Sequence, residues 1–243
     1  MPASQQSFEA RLERFILGNG LVQSWLDYDP QNVLIKKLSL TGFILSVNTA
    51  NTLCNNTRQT LGNGQTARAP LVFTNKETNP ACLQKRIEQI VPYLEGDLGK
   101  TSPSAKLVRS VRLKIRPVYP KKPPGTPRGA GNSPMERSFA SAVGLGQKVV
   151  DCIFGLGAAY KPANPDLSVA SMQALVNLIK DKNKIVTEAL EPFGNANRAR
   201  RKLYDQDDGM KERIVSIKGY LASFQGGKKS DRYIEYSQAI KGS

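Results

Sequence analysis

The side chains able to do chemistry are few in kind. The chain has no histidine, and with it go the commonest general base at neutral pH, the usual partner of a nucleophilic serine or cysteine, and the commonest metal ligand. Asp205, Asp207 and Asp208 form the local acidic cluster that acid-base work would need. Beside Arg200, Arg201 and Lys202 they are expected instead to make short-range ion pairs on a helix. Cys54, Cys82 and Cys152 are far apart, odd in number and without CxxC spacing. That pattern predicts small buried hydrophobes in a reducing compartment, not a disulfide framework or a zinc site. No GxxxxGKS/T phosphate loop occurs. Gly144-Leu145-Gly146 and Gly155-Leu156-Gly157 lack the third glycine and acidic residue of a dinucleotide site, so close-packing points or helix ends are expected there. Asn55-Asn56-Thr57 fits a glycosylation sequon, but no secretion signal accompanies it. Catalytic residues, cofactor-binding residues, metal ligands and a small-molecule substrate are accordingly not expected, and the chain reads as a non-enzyme.

Charge is the remaining resource. Lysine and arginine number 35 against 20 acids, a net charge of +15, which attracts polyanions such as nucleic acid, a ribosome or an anionic membrane surface. Lys106, Arg109, Arg112 and Arg116 fall at spacings of 3, 3 and 4, a basic stripe on a helix whose other face holds Leu107, Val108, Val111 and Ile115. Arg198, Arg200, Arg201 and Lys202 form a second concentration, and Lys121 and Lys122 lie between the two. Helix-borne arginines suit phosphates as charge and as bidentate donors. No aromatics interleave with them, and no helix-turn-helix, RRM or KH signature is present. Non-specific contact with a nucleic-acid backbone is the most these ten residues support; the competing reading is a solvated amphipathic face.

The elements that must carry these residues come as a duplication. Ser7-Phe8 recurs as Ser138-Phe139, Tyr28-x-Pro30-x-Asn32 as Tyr160-x-Pro162-x-Asn164, Leu38-Ser39-Leu40 as Leu167-Ser168-Val169, Ala67-Arg68 as Ala199-Arg200, and Tyr93-Leu94 as Tyr220-Leu221. Lys100 with Ser102 then matches Lys228 with Ser230, and the order never breaks. Residues 117–134 hold six prolines and three glycines, with Lys121, Lys122 and Arg128, and read as a basic linker. The expected organisation is a first repeat over 1–116, the linker over 117–134, and a second repeat over 135–243.

Each copy reads as helices only. Leading helices are expected over 5–26, interrupted at Gly18-Asn19-Gly20, and over 134–158. An asparagine- and threonine-rich helix from about 39 to 60 is broken by Leu61-Gly62-Asn63-Gly64. Asn79-Pro80 and Ser102-Pro103 start helices near 80–95 and 103–116. Met172, Leu175, Ile179, Val186 and Leu190 share one face of a helix that Glu191-Pro192-Phe193-Gly194-Asn195 should end. The apolar spacing from Ala196 to Phe224 then predicts one helix of about 30 residues, and Ser230 can cap a last one. Asn183 and Asp207 stand where the seams want apolar residues, either to fix register or because the helix meets water there.

The Tyr-x-Pro-x-Asn motif, Lys182-Asn183, Asn197-Arg198-Ala199-Arg200 with Leu203-Tyr204, and Tyr220-Leu221 with Phe224, Gly227 and Ser230 resemble a paralogue-rich family of uncharacterised helical-hairpin proteins from Bacteroidota. The resemblance is strongest over 138–243, and the first half looks like a diverged copy lacking the Lys-Asn pair and the second arginine. It implies a helical fold and no activity or cofactor. The combined expectation is an all-α chain of two tandem four-helix units, cytoplasmic, with no stretch of the roughly 20 apolar residues that membrane insertion needs. The expected role is structural, as a homo-oligomer or scaffold, with a nucleic-acid-associated protein as the alternative.

Overall fold

The computed structural model describes residues 7–73, 81–115 and 139–241, and among them the fold is all-α, without strands. Helix α1 is Phe8–Ser24, α2 Lys37–Val72, α3 Leu83–Asp97, α4 Pro103–Ile115, α5 Phe139–Gly155, α6 Val169–Asp205, α7 Met210–Leu221 and α8 Asp231–Ala239. Short 3-10 turns at Val33–Ile35 and Pro165–Leu167 precede the two long helices. Local caps act as their residue types dictate: Ser7 Oγ accepts the Ala10 N–H, Ser102 Oγ that of Ala105 and Ser230 Oγ that of Tyr233. The Asn79-Pro80 start lies outside the described residues, and α3 begins after Cys82.

The expected helix breaks inside each copy do not occur. α1 runs through Gly18-Asn19-Gly20, α2 through Leu61-Gly62-Asn63-Gly64, and α6 through Glu191 to Asn195. Packing outweighs propensity at two of these glycines. A Cβ on Gly18 would lie 2.7 Å from Ile240 Cγ2 and 2.9 Å from Tyr236, so the glycine lets α8 close on α1. A Cβ on Gly64 would sit 3.0 Å from Val186 Cγ2. Pro192 and Glu188 are exposed, so water can bond the carbonyl that the proline leaves without its helical partner. The break comes instead after Asp205. Asp208 takes φ 62, and a Cβ on Gly209 would meet the Gln206 carbonyl at 2.7 Å. The expected long helix over 196–224 is therefore the end of α6 plus α7. Asp207 is exposed in the turn between them, which is why a polar residue occupies that register.

The chain forms two compact units, Met1–Thr60 with Ala189–Ser243, and Leu61–Glu188. These do not follow the boundary between the sequence copies. In the first unit α1 packs on α8, α8 on α7, and α7 on the Val33–Ile35 turn; in the second α5 packs on α4, α4 on α3, and α3 on the Pro165–Leu167 turn. The same three pairings are thus made twice, each time by the N-terminal part of one copy and the C-terminal part of the other. Helix continuity is the reason. A helix of 36 or 37 residues advances about 1.5 Å per residue. The segment beyond it cannot return across its first turns through a connection as short as 206–209. Each C-terminal part is left to find the N-terminal part of the other copy.

Each unit has its own apolar cluster, with Phe15, Leu40, Ile217 and Tyr236 in one and Ile87, Val108, Ile153 and Met172 in the other, all at 1% exposure or less. Ile217→Asp is expected to unfold the first unit, because a carboxylate with no partner in that cluster costs several kcal/mol. Thermal unfolding followed by circular dichroism checks this, and an unchanged transition would show that the α7 seam tolerates charge.

Candidate polyanion-binding surface

Helix α4 lays Ala105, Val108, Val111 and Ile115 into the core; Leu107, expected on that face, is exposed. Lys106 is exposed and Arg112 is half-buried. Arg109 is not free: its Nε lies 2.9 Å from Glu95 Oε1, and its Nη2 pairs with the same carboxylate oxygen. That pair neutralises the middle of the stripe. Arg116, Lys121 and Lys122 lie outside the described residues.

At the end of α6, Arg198, Arg201 and Lys202 are exposed, whereas Arg200 is held. Its guanidinium lies 4.1 Å from the centre of the Phe8 ring and donates to Asn197 Oδ1 at 3.0 Å. The expected ion pairs with the aspartates are not the ones made. Asp205, the last residue of α6, pairs instead with Arg11 of α1 at 3.1 Å, whose guanidinium also lies 5.0 Å from the centre of the Tyr204 ring.

The residues that recur between the copies have another job, and the arginines and tyrosines among them contact the other copy. Arg68 stacks 3.8 Å over Phe139 as Arg200 does over Phe8. Tyr28 donates to the Ile35 carbonyl at 3.0 Å and meets Tyr220 edge-on at 5.1 Å; Tyr160 donates to the Leu167 carbonyl at 2.7 Å and meets Tyr93 edge-on at 5.3 Å. The hydroxyl of Tyr220 accepts the Asp29 N–H, and that of Tyr93 the Lys161 N–H. Burial raises the phenols of Tyr28 and Tyr160 well above their ordinary range, so both remain donors. Asn32 and Asn164 cap the 3-10 turns by accepting the Leu34 and Asp166 N–H groups, each at 3.0 Å.

Two arginines that sequence reasoning missed complete these clusters. Arg86 is 8% exposed; its Nη1 donates to the Asp166 carbonyl at 2.9 Å and Ser171 Oγ at 2.8 Å, and its Nε to the Ala81 carbonyl at 2.8 Å. Arg213, also 8% exposed, donates from Nη1 to the Leu34 carbonyl and to Ser39 Oγ at 3.2 Å, and from Nε to the Asp208 carbonyl at 3.0 Å. The two stand 127 positions apart, the same offset as Tyr93 and Tyr220, and that shared offset was the signal for them. The serine match also moves: Ser39 corresponds in role to Ser171, not Ser168. The first half keeps the asparagine of the Lys-Asn pair as Asn51. Asn183 donates directly to the Phe139 carbonyl at 2.9 Å, while Asn51 donates to Tyr204 Oη, which in turn donates to the Phe8 carbonyl.

An open hollow of about 520 Å³ lies between α4 and α5, lined by Ser104, Leu107, Lys148, Asp151 and the partly exposed Cys152. Gly146, beside Val176 and Leu83, is a close-packing point, and Gly155 ends α5. Among the described residues all three cysteines are free, no group of three Cys, Asp or Glu side chains could hold a metal ion, and no helix is long and apolar enough to cross a membrane. Comparison with family models, with curated proteins and with solved structures finds no match to the chain.

Proposed function

We propose that this chain is a non-enzymatic structural protein whose duplicated helical units serve assembly. One observation carries the reading: the recurring residues with chemical capability, Tyr28 and Tyr160, Tyr93 and Tyr220, Arg86 and Arg213, are engaged in holding one copy to the other. Selection for catalysis would place such groups around a space that a substrate can enter; here Tyr28, Tyr160 and the two arginines donate to backbone carbonyls and serine hydroxyls, and Tyr93 and Tyr220 accept backbone N–H groups. The duplication preserved a scaffold, and a scaffold acts through its surfaces.

A second reading, contact with a polyanion, is favoured by a difference between the units. Counting from the capping serines Ser102 and Ser230, the positions of Lys106, Arg109 and Arg112 on α4 are filled by Ile234 and Ser237 on α8 and by Ile240 just after it. The basic face belongs to one unit alone, so the shared fold does not require it.

Sedimentation velocity of the full chain over a wide concentration range, with and without a random DNA duplex at several salt concentrations, tests both. The assembly reading expects concentration-dependent self-association without DNA, and a strictly monomeric chain would end it. The polyanion reading expects log K to fall by about 0.9 per phosphate contact as log salt rises. Replacing Lys106, Arg112 and Lys114 by alanine should then reduce that slope by about 2 to 3; absence of binding at low salt would remove the reading.

A further inference from the structure

The exposed face of α2 in the first unit is at odds with the rest of this chain. Leu38, Leu45 and Leu53 are 86%, 63% and 52% exposed, and Thr41, Gly42, Thr49 and Thr52 are exposed around them. From Ser39 to Thr57 there is no charged residue, although charged residues make up 23% of the chain. Leu26 and Val33, 99% and 68% exposed, precede this stretch in the same unit.

The second unit supplies an internal control. At the offset of 132 that relates Tyr28 to Tyr160, Leu38 corresponds to Ala170, Leu45 to Asn177 and Leu26 to Ala158, while Leu53 alone meets another exposed aliphatic, Ile185 at 44%. The stretch matching Ser39 to Thr57 carries Lys180, Asp181, Lys182, Lys184 and Glu188. That unit makes the same three helix packings and the same tyrosine and arginine contacts with charge on this face. Folding therefore does not demand the apolar, uncharged surface of α2. Exposed aliphatics that the fold does not need, concentrated on one helix, mark a contact surface.

We infer that this face of α2 is a self-association surface, and that its occupant is the same face of a second copy of the chain. The inference rests on the assembly reading and names its surface. Charge argues for the occupant. Molecules of net charge +15 repel one another, and a two-fold contact places a patch against itself, so any charge in it would approach a like charge. A face emptied of charge is what such a contact tolerates, whereas an acidic or basic partner would be met by charges of opposite sign.

The polar groups agree with this. Thr41, Ser46 and Thr49 donate their hydroxyls to the carbonyls of Lys37, Gly42 and Leu45 in their own helix, at 3.1, 3.1 and 2.9 Å. Their donors stay satisfied when water is excluded, and the threonines offer methyl groups to a neighbour. The exposed amides of Asn48 and Asn56 each carry donor and acceptor and can pair with their own copies. Leu38, Leu45 and Thr52 stand seven apart, the repeat with which two helices pack at a shallow angle.

The test uses the full chain in three forms: wild type, Leu38→Lys with Leu45→Lys, and Ala170→Lys with Asn177→Lys at the matching exposed positions of the other unit. Sedimentation velocity and light scattering are expected to show a dimer for wild type and for the second variant. Association of the Leu38/Leu45 variant should be weaker by at least about 100-fold, since each lysine removes a leucine from the centre of the contact and faces its own copy. Circular dichroism should show the same helicity and denaturation midpoint for all three, because every changed side chain is exposed. If the Leu38/Leu45 variant associates as wild type does, the face is overturned while the assembly reading stands. If wild type is monomeric throughout, both fall.

Discussion

A chain cut within residues 117–134 is expected to stay in one piece under native conditions. With a site-specific protease sequence inserted between Lys122 and Pro123, cleavage should yield two fragments on a denaturing gel that still co-elute in native gel filtration and separate only in denaturant. The reason is that the packings of α1 on α8, α4 on α5, α7 on the Val33–Ile35 turn and α3 on the Pro165–Leu167 turn all join residues on opposite sides of the cut. So do the contacts of Tyr28 with Tyr220, Tyr160 with Tyr93, Arg200 with Phe8 and Arg68 with Phe139. Pairing that persists at about 1 μM corresponds to roughly 8 kcal/mol of association or more, a modest demand on two apolar clusters that each draw on both fragments. If each sequence copy were instead a bundle closed on itself, the fragments would elute separately as folded domains, and that result would refute the exchanged arrangement.

The second large effect belongs to the buried arginines. Arg86→Met and Arg213→Met keep an apolar stem of similar reach and remove every donor. In each case the interior carbonyls and the serine hydroxyl that the guanidinium held lose their partner. An unsatisfied buried acceptor costs about 1–3 kcal/mol, so each substitution is expected to destabilise its unit by about 3 kcal/mol, with the ion pair of Arg86 to the half-exposed Asp166 adding little. Urea denaturation measures it. Against a typical stability of about 5–15 kcal/mol, a loss of that size shifts the midpoint plainly. A change below about 1 kcal/mol would mean that water replaces the guanidinium and that the recurrence of this arginine has another cause.

The fold is legible in the sequence where it is local. Helical class, the serine caps at Ser102 and Ser230 and the order of the recurring landmarks depend on residues within a few positions of one another, so local chemistry announces them. The outward turn of Lys106 and Arg112 follows from apolar spacing in the same way. Neutralisation of Arg109 does not, because Glu95 is brought to it by the packing of α3 on α4.

Partner choice was beyond the sequence for a more basic reason. Both copies carry the same tyrosines, arginines and capping residues, so Tyr28 suits Tyr93 as well as Tyr220 by residue type, and no local pattern can rank the two. Continuity of α2 past Gly62 and Gly64 and of α6 past Pro192 decides it. That continuity depends on packing such as Gly64 against Val186 and on a proline facing water, neither of which a count of breakers records. What the amino-acid order determined was a pair of equivalent helical sets with their caps and contacts. Only the tertiary structure decided that each set completes the other, because the stiffness of two long helices carries each C-terminal part beyond reach of its own beginning.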